Sequence, residues 1–227
     1  MIAISNLNEF LNYQTEMKVT SIENGSYIIE GTYNLSSSYN EIYLQKYYNI
    51  RIIIHEVYPK KLPQVINIDG TIPKEFGHFY VDGSLCLGSP MELYLSAIEN
   101  NISDYLIKYI DSYLYAATYF IKYNSQFPYG ERSHGTMGII EFWKEYLNTD
   151  DYKVIHNVMD YISKDNYRGH NLCPCGSGER VRNCHGNKIL PIIKNSLIEV
   201  VKEELNLFDK EVKKTIECQK ATSRRKL

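Results

Sequence analysis

Two short stretches of the chain hold residues whose types and spacing can do chemistry. The first, CPCGSGERVRNCH at 173–185, contributes Cys173, Cys175, Cys184 and His185. Three thiolates and one imidazole suit tetrahedral zinc, with two ligands at each end of a short glycine turn. Gly176 and Gly178 let the backbone fold tightly round an ion, while Arg180 and Arg182 offset a complex that carries about one negative charge. Four protein ligands leave no open coordination position, so the expected Zn2+ is structural. The competing reading is three unrelated thiols. His170 precedes the cluster and reads as a loop histidine.

The second stretch, HFYVDGSLCLGSP at 78–90, sets Cys86 between the turn-like Asp82-Gly83 and the restart Ser89-Pro90. A thiol is the most nucleophilic common side chain near neutral pH, and a place on the N-terminal side of a helix favours its thiolate through the helix dipole. Cys86 is therefore a candidate nucleophile. The competing reading is a small buried apolar residue, as free cysteines often are. Of the five cysteines, three crowd between 173 and 184, which is not the pattern of a secreted disulfide framework. Cys86 and Cys218 stand apart from them.

The elements that must position these residues follow from turn signals and periodicity. SYIIEGTYNL after Asn24-Gly25 reads as a strand. IRIIIHEV puts Ile50, Ile52 and Ile54 on one face and Arg51, Ile53 and His55 on the other. A meander of strands in a curved antiparallel sheet is expected. Pro59 and Pro63 cannot donate ladder hydrogen bonds, so an edge or crossing loop precedes Val65–Ile68, where the sheet ends. Residues 69–87 lack periodicity and read as a long irregular segment over the sheet. Ser89-Pro90-Met91-Glu92 has the form of a helix start: a hydroxyl cap, proline at the first helical position and Glu at the third. A core stripe continues through Ile98, Ile102, Leu106, Ile110, Tyr113, Ala117 and Phe120. Shorter helical stretches, GIIEFWKEYL and DYKVIHNVMDYI, follow the loop FPYGERSHG. The polar run SKDNYRGHN reads as a domain boundary, and Ile193, Leu197, Val201, Leu205, Phe208, Val212 and Ile216 mark one amphipathic helix. The expected domains are 1–150, a zinc module at 166–190, and a helical tail at 191–227.

Length and composition bound the function. The 227 residues, 44% of them apolar, suffice for a domain of roughly 150 residues plus a small module. A net charge of -2 provides no broad basic field, which argues against nucleic-acid or membrane binding; Arg224, Arg225 and Lys226 read as a solvated tail. MIAISNLNEF lacks a basic segment followed by a sustained apolar stretch, and YLIKYIDSYLYAATYFIKY is broken by Lys108, Asp111 and Lys122, so a cytoplasmic protein is expected. The 21 tyrosines read as a compositional trait.

The residues at 173–185 closely resemble the SEC-C motif, over about fifteen residues that include all four ligands and the Gly-Ser-Gly turn. That resemblance implies a zinc-stabilised docking surface and no metal catalysis. Over roughly residues 15 to 125 the chain is similar to ubiquitin-conjugating (E2-like) enzymes. A strand ends in Tyr58-Pro59, a crossing carries Pro63 and Val65, and Tyr80, Gly83, Cys86 and Leu87 follow in order and spacing. The resemblance implies an α+β fold of the ubiquitin-conjugating class, with Cys86 accepting a protein's activated carboxyl terminus as a thioester. ATP would be used by an activating partner, and no organic cofactor is needed. Where that family has His-Pro-Asn, this chain has Phe76-Gly77-His78. His78 is thus a candidate catalytic residue, as oxyanion donor or base, or a brace for the loop. The loop FPYGERSHGTMG, with Glu131 and His134, looks more like prokaryotic members, including those of CBASS-type antiphage operons. There the resemblance implies conjugation involving the carboxyl terminus of a cyclic-nucleotide synthase. The rival reading is a non-catalytic adapter that docks partners through the zinc module and tail.

Overall fold

The computed structural model describes residues 4–125, 133 and 135–224, with side chains described as far as residue 213. Glu131 and His134 lie outside the described residues, as does the side chain of Cys218. The architecture is α+β, with a four-stranded antiparallel sheet and seven α-helices among the described residues. The chain divides into two compact units, Met1–Gly88 with Ser96–Glu131, and Ser89–Leu95 with Arg132–Leu227.

In the first unit, helix α1 (Leu7–Tyr13) leads into strands β1 (Met17–Glu23), β2 (Ser26–Tyr39), β3 (Ile42–His55) and β4 (Gln64–Asn67), which pair in that order. Both hairpin turns use two residues at positive φ, Asn24-Gly25 and Asn40-Glu41, which match the twist of the flanking strands. The expected faces of β3 are observed: Ile50, Ile52 and Ile54 are fully buried while Arg51, Ile53 and His55 are half-buried. On the outer face Glu30 and Arg51 pair across β2 and β3.

The buried face of the sheet packs on helix α3 (Ile102–Tyr123), which also meets α1. Tyrosines fasten this packing. Tyr33 Oη donates to Asp111 Oδ1 at 2.7 Å, Tyr48 Oη shares a 2.8 Å hydrogen bond with Thr118 Oγ1, and Tyr115 Oη donates to the Ile42 carbonyl at 2.7 Å. A phenol can fill an apolar core and still satisfy a polar tip, so these tyrosines are structural anchors as well as a compositional trait. The core stripe is carried by two helices. Helix α2 (Pro90–Glu99) stops, and Asn101 caps α3 by accepting from the Asp104 amide at 3.0 Å, while its own amide donates to Asp104 Oδ2 at 2.8 Å. An asparagine satisfies the otherwise unpaired first amides of a new helix better than it continues an old one.

The second unit holds the first turns of α2, then α4 (Thr136–Leu147), α5 (Tyr152–Ser163), α6 (Gly186–Lys194) and α7 (Ile198–Arg224). Asp151 caps α5 through the Lys153 amide at 2.8 Å. The single amphipathic helix expected from Ile193 onward is two helices, separated where Ser196 takes a left-handed conformation. The buried face of α7 is Val201, Glu204 and Phe208, with Leu197 buried just ahead of it, packed with α4 and α5 around the fully buried Trp143, Ile155 and Met159.

One expected local bond is replaced. The Ser89 carbonyl accepts the first bond of α2, from Leu93 N at 3.0 Å, so Ser89 occupies the cap position. Its hydroxyl, however, is buried without a partner among the described residues, and the Met91 amide donates instead to Glu204 Oε1 at 3.0 Å.

Candidate functional site

The loop that carries Cys86 is stapled to the edge of the sheet and folded back on itself. Leu85 N donates to the Val65 carbonyl at 2.8 Å, and Ile66 and Ser84 form an antiparallel bridge, so the segment extends β4 sideways. Phe79 and Leu85 form a second bridge, and Tyr80 N donates to the Ser84 carbonyl at 2.8 Å. Gly83 supplies the positive φ at the turn between them. Asp82 then ties the turn: its Oδ1 accepts from Ser84 Oγ at 2.6 Å and from Ser84 N at 3.0 Å, and Gln64 Nε2 reaches its Oδ2 at 3.4 Å. The Ser84 hydroxyl and amide hold the Asp82 carboxyl below the usual carboxylate range.

Cys86 emerges half-buried from this turn, and its amide donates to the His78 carbonyl at 3.0 Å. The same carbonyl accepts from Tyr113 Oη of α3 at 2.9 Å. The two sequence-predicted residues are thus brought together through the His78 backbone. The His78 ring lies 4.6 Å from the Phe76 ring and edge-on to Tyr113 at 6.3 Å. Tyr80 is the ionisable side chain whose hydroxyl is influenced by the Cys86 thiol. Tyr80 as a whole is 45% exposed. Burial, the Cys86 thiol and the Asp82 charge all raise its pKa, so it remains a proton donor at neutral pH. Neither Tyr80 nor Tyr113 stood out in sequence as a partner of this thiol. Tyr80 was legible only as a position in a pattern, and Tyr113 is 35 residues from the carbonyl that it holds.

The second constellation is assembled over a short span. Leu172 bridges to Arg180, Cys173 N donates to the Glu179 carbonyl at 2.8 Å, and Gly176 N donates to the Cys173 carbonyl at 3.1 Å. Gly176 and Gly178 take φ of 82° and 80°, as a tight knuckle requires. A 3-10 turn, Val181–Asn183, then delivers Cys184, and His185 stands at the start of α6. The four ligand atoms lie within 4.8 Å of one another. Cys173 Sγ and Cys184 Sγ lie 3.3 and 3.2 Å from His185 Nδ1, and Cys175 Sγ lies 3.6 Å from Cys184 Sγ. Bonds of about 2.3 Å in a tetrahedron imply edges of about 3.8 Å, so the cage is of the right size and donor type for a metal ion.

Cys173 is buried, and burial pushes its thiol up to about 12. At Cys175 burial works the same way, but the Ser177 hydroxyl and amide, with the neighbouring thiols, outweigh it and bring the thiol down to about 6. His170 is exposed and stands outside the cluster.

Together these features define an α+β protein with a candidate three-cysteine, one-histidine metal centre. No protein-family model, curated protein or solved structure matches the chain. Among the described residues no helix is long and apolar enough to cross a membrane.

Proposed function

We propose that the chain is a ubiquitin-conjugating-like acyl carrier, with Cys86 as the acceptor and a structural zinc ion held by Cys173, Cys175, Cys184 and His185. The single observation that carries this reading is the Cys86 loop: a half-buried thiol at the end of a turn pinned to the sheet and to the His78 carbonyl. A sulfur meant only for packing needs no such turn.

In this reading the Cys86 thiolate attacks the carbonyl of a partner protein's carboxyl-terminal adenylate. The carbon–sulfur bond forms, the bond to phosphate oxygen breaks, and AMP departs with the electron pair. Tyr80, and the His78 ring if it turns toward the sulfur, supply hydrogen-bond donors for the oxyanion of the tetrahedral intermediate. An incoming amine then takes the acyl group, loses its proton to a base, and returns the thiolate. The adenylate comes from a separate activating enzyme that uses ATP. The partner is a protein with a reactive carboxyl terminus, such as a cyclic-nucleotide synthase in an antiphage operon, and the reaction belongs in the reducing cytoplasm. A bound zinc would hold the module's backbone together and take no part in the transfer.

The packing of the His78 ring on Phe76 and Tyr113 favours a second reading, in which His78 braces the loop and the fold serves as an adapter. Incubation of the full chain with its genomic neighbours and ATP separates the two. A reducible adduct on Cys86, replaced by a durable ester or lost in Cys86→Ser, is the expected result. Full biological activity of Cys86→Ser would leave only the adapter.

A further inference from the structure

Helix α2 starts soon after Cys86, and what holds its first turn is unusual. The N-terminal end of a helix presents unpaired amides and a partial positive charge, which the side chain at the cap position ordinarily satisfies. Ser89 stands at that position, 7% exposed, yet its hydroxyl has no partner among the described residues. The Met91 amide is taken by Glu204, 113 residues away on α7. The other oxygen of Glu204 accepts from Trp143 Nε1 of α4 at 2.7 Å, and the residue is 2% exposed.

We infer that helix α2 has two alternative N-terminal caps, Glu204 from α7 and its own Ser89, and that the charge on Glu204 selects between them. The geometry supplies both states: one cap is in place, and the other, local and ready, has no partner among the described residues. Burial pushes the Glu204 carboxyl up to about 7 from 4.5; the Met91 amide and the Trp143 indole pull it down, and Glu203 adds to the rise.

Glu203 is the charge that acts on Glu204, and several others on the elements packed against it pair elsewhere. On α4, Lys144 pairs with Asp150, Glu141 accepts from Ser133, and Glu145 has a partner of its own. On α5, His156 pairs with Asp209 and Asp160 with Lys164. On α2, Glu92 has its own interaction, and Tyr94 is raised by burial and then by Glu203. On α7, Lys202 pairs with Glu199.

The folded pKa of Glu204 is raised, so its contribution to holding the cap is fully present below about 4.5 and is lost as the pH rises through about 7. Any state in which the carboxyl meets water ionises more readily, and a rising pH therefore favours release. Ser89 then takes over the helix end. The cap exchange stands apart from the role of Cys86.

The test needs no partner. The chain has one tryptophan, so hydrogen exchange at the Trp143 indole N–H can be followed in the full-length protein and corrected for the intrinsic rate. Protection should fall roughly tenfold between pH 5.5 and 7.5, level off above that, and become flat in Glu204→Gln. Ser89→Ala should raise protection at pH 7.5 about fivefold, because it removes the cap from the released state alone. A hydroxyl that already caps the closed helix would give the opposite sign. Flat protection in the wild type, or faster exchange in Ser89→Ala, overturns the inference even if Glu204→Gln fails to fold.

Discussion

The metal cluster and the Cys86 loop are both short segments that present sulfur, but they are held in different ways. The cluster is local. Its four ligands lie between 173 and 185, and the backbone bonds that shape it join residues between 169 and 184. The Cys86 loop is tied from a distance, to Val65 on the sheet and through His78 to Tyr113 on α3. A segment of the first kind has little apolar interior of its own, so something other than packing must hold it. A segment of the second kind inherits its order from a core that exists without it.

The largest effect should therefore come from removing the metal. Between 168 and 194 only Cys173, Val181, Gly186, Ile189 and Ile192 are buried, too few for an independent core. Zinc finger peptides draw about 10–16 kcal/mol of apparent binding free energy from their metal, and a loss on that order would unfold this module. Purified protein is expected to contain about one zinc per chain. Chelation, or Cys175→Ser, should expose residues near 168–194 to limited proteolysis while 4–125 stay protected. A metal-free protein with the 168–194 region intact would mean that distant packing holds both segments, and the comparison would fail.

The next effect is chemical. His78→Ala should slow acyl capture or discharge by roughly ten- to a thousandfold if the imidazole donates to the oxyanion or acts as a base. His78→Phe then sharpens the result. A phenylalanine keeps the ring contact with Phe76 and Tyr113 but donates nothing, so a restored rate assigns His78 to bracing the loop. Cys218→Ser should leave the Cys86 adduct unchanged in either case.

The same division between local and distant governs what could be read from the sequence. The Asn24-Gly25 turn, the two faces of β3, the start of α2 at Pro90 and the four clustered ligands all announce themselves within a few neighbours. Asn101 was also legible in principle, because Asn-Ile-Ser-Asp has the spacing of a reciprocal cap, but the apolar stripe running through it looked continuous. Glu204 was hidden differently. It falls between Val201 and Phe208 on the buried face of α7, where a lone carboxylate looks like an interruption of the stripe until its donors are known. The hydrogen bonds from Tyr33 to Asp111 and from Tyr113 to His78 left no local trace, since each joins residues that only the fold brings together.

The smallest predicted effect probes the comparison most directly. Tyr113→Phe removes one hydroxyl and leaves the ring, including its edge-on contact with Phe76 at 5.5 Å. The His78 carbonyl keeps its bond from the Cys86 amide, so no buried acceptor is orphaned. The cost should be that of one ordinary hydrogen bond, about 1 kcal/mol. If α3 holds the loop in place, that cost appears as easier local opening, and alkylation of Cys86, resolved by peptide mass spectrometry, should speed up about fivefold. The Asp82–Ser84 staple makes the contrary outcome meaningful. An unchanged alkylation rate would show that the turn holds itself, and the Cys86 loop would then be as local a structure as the cluster at 173–185.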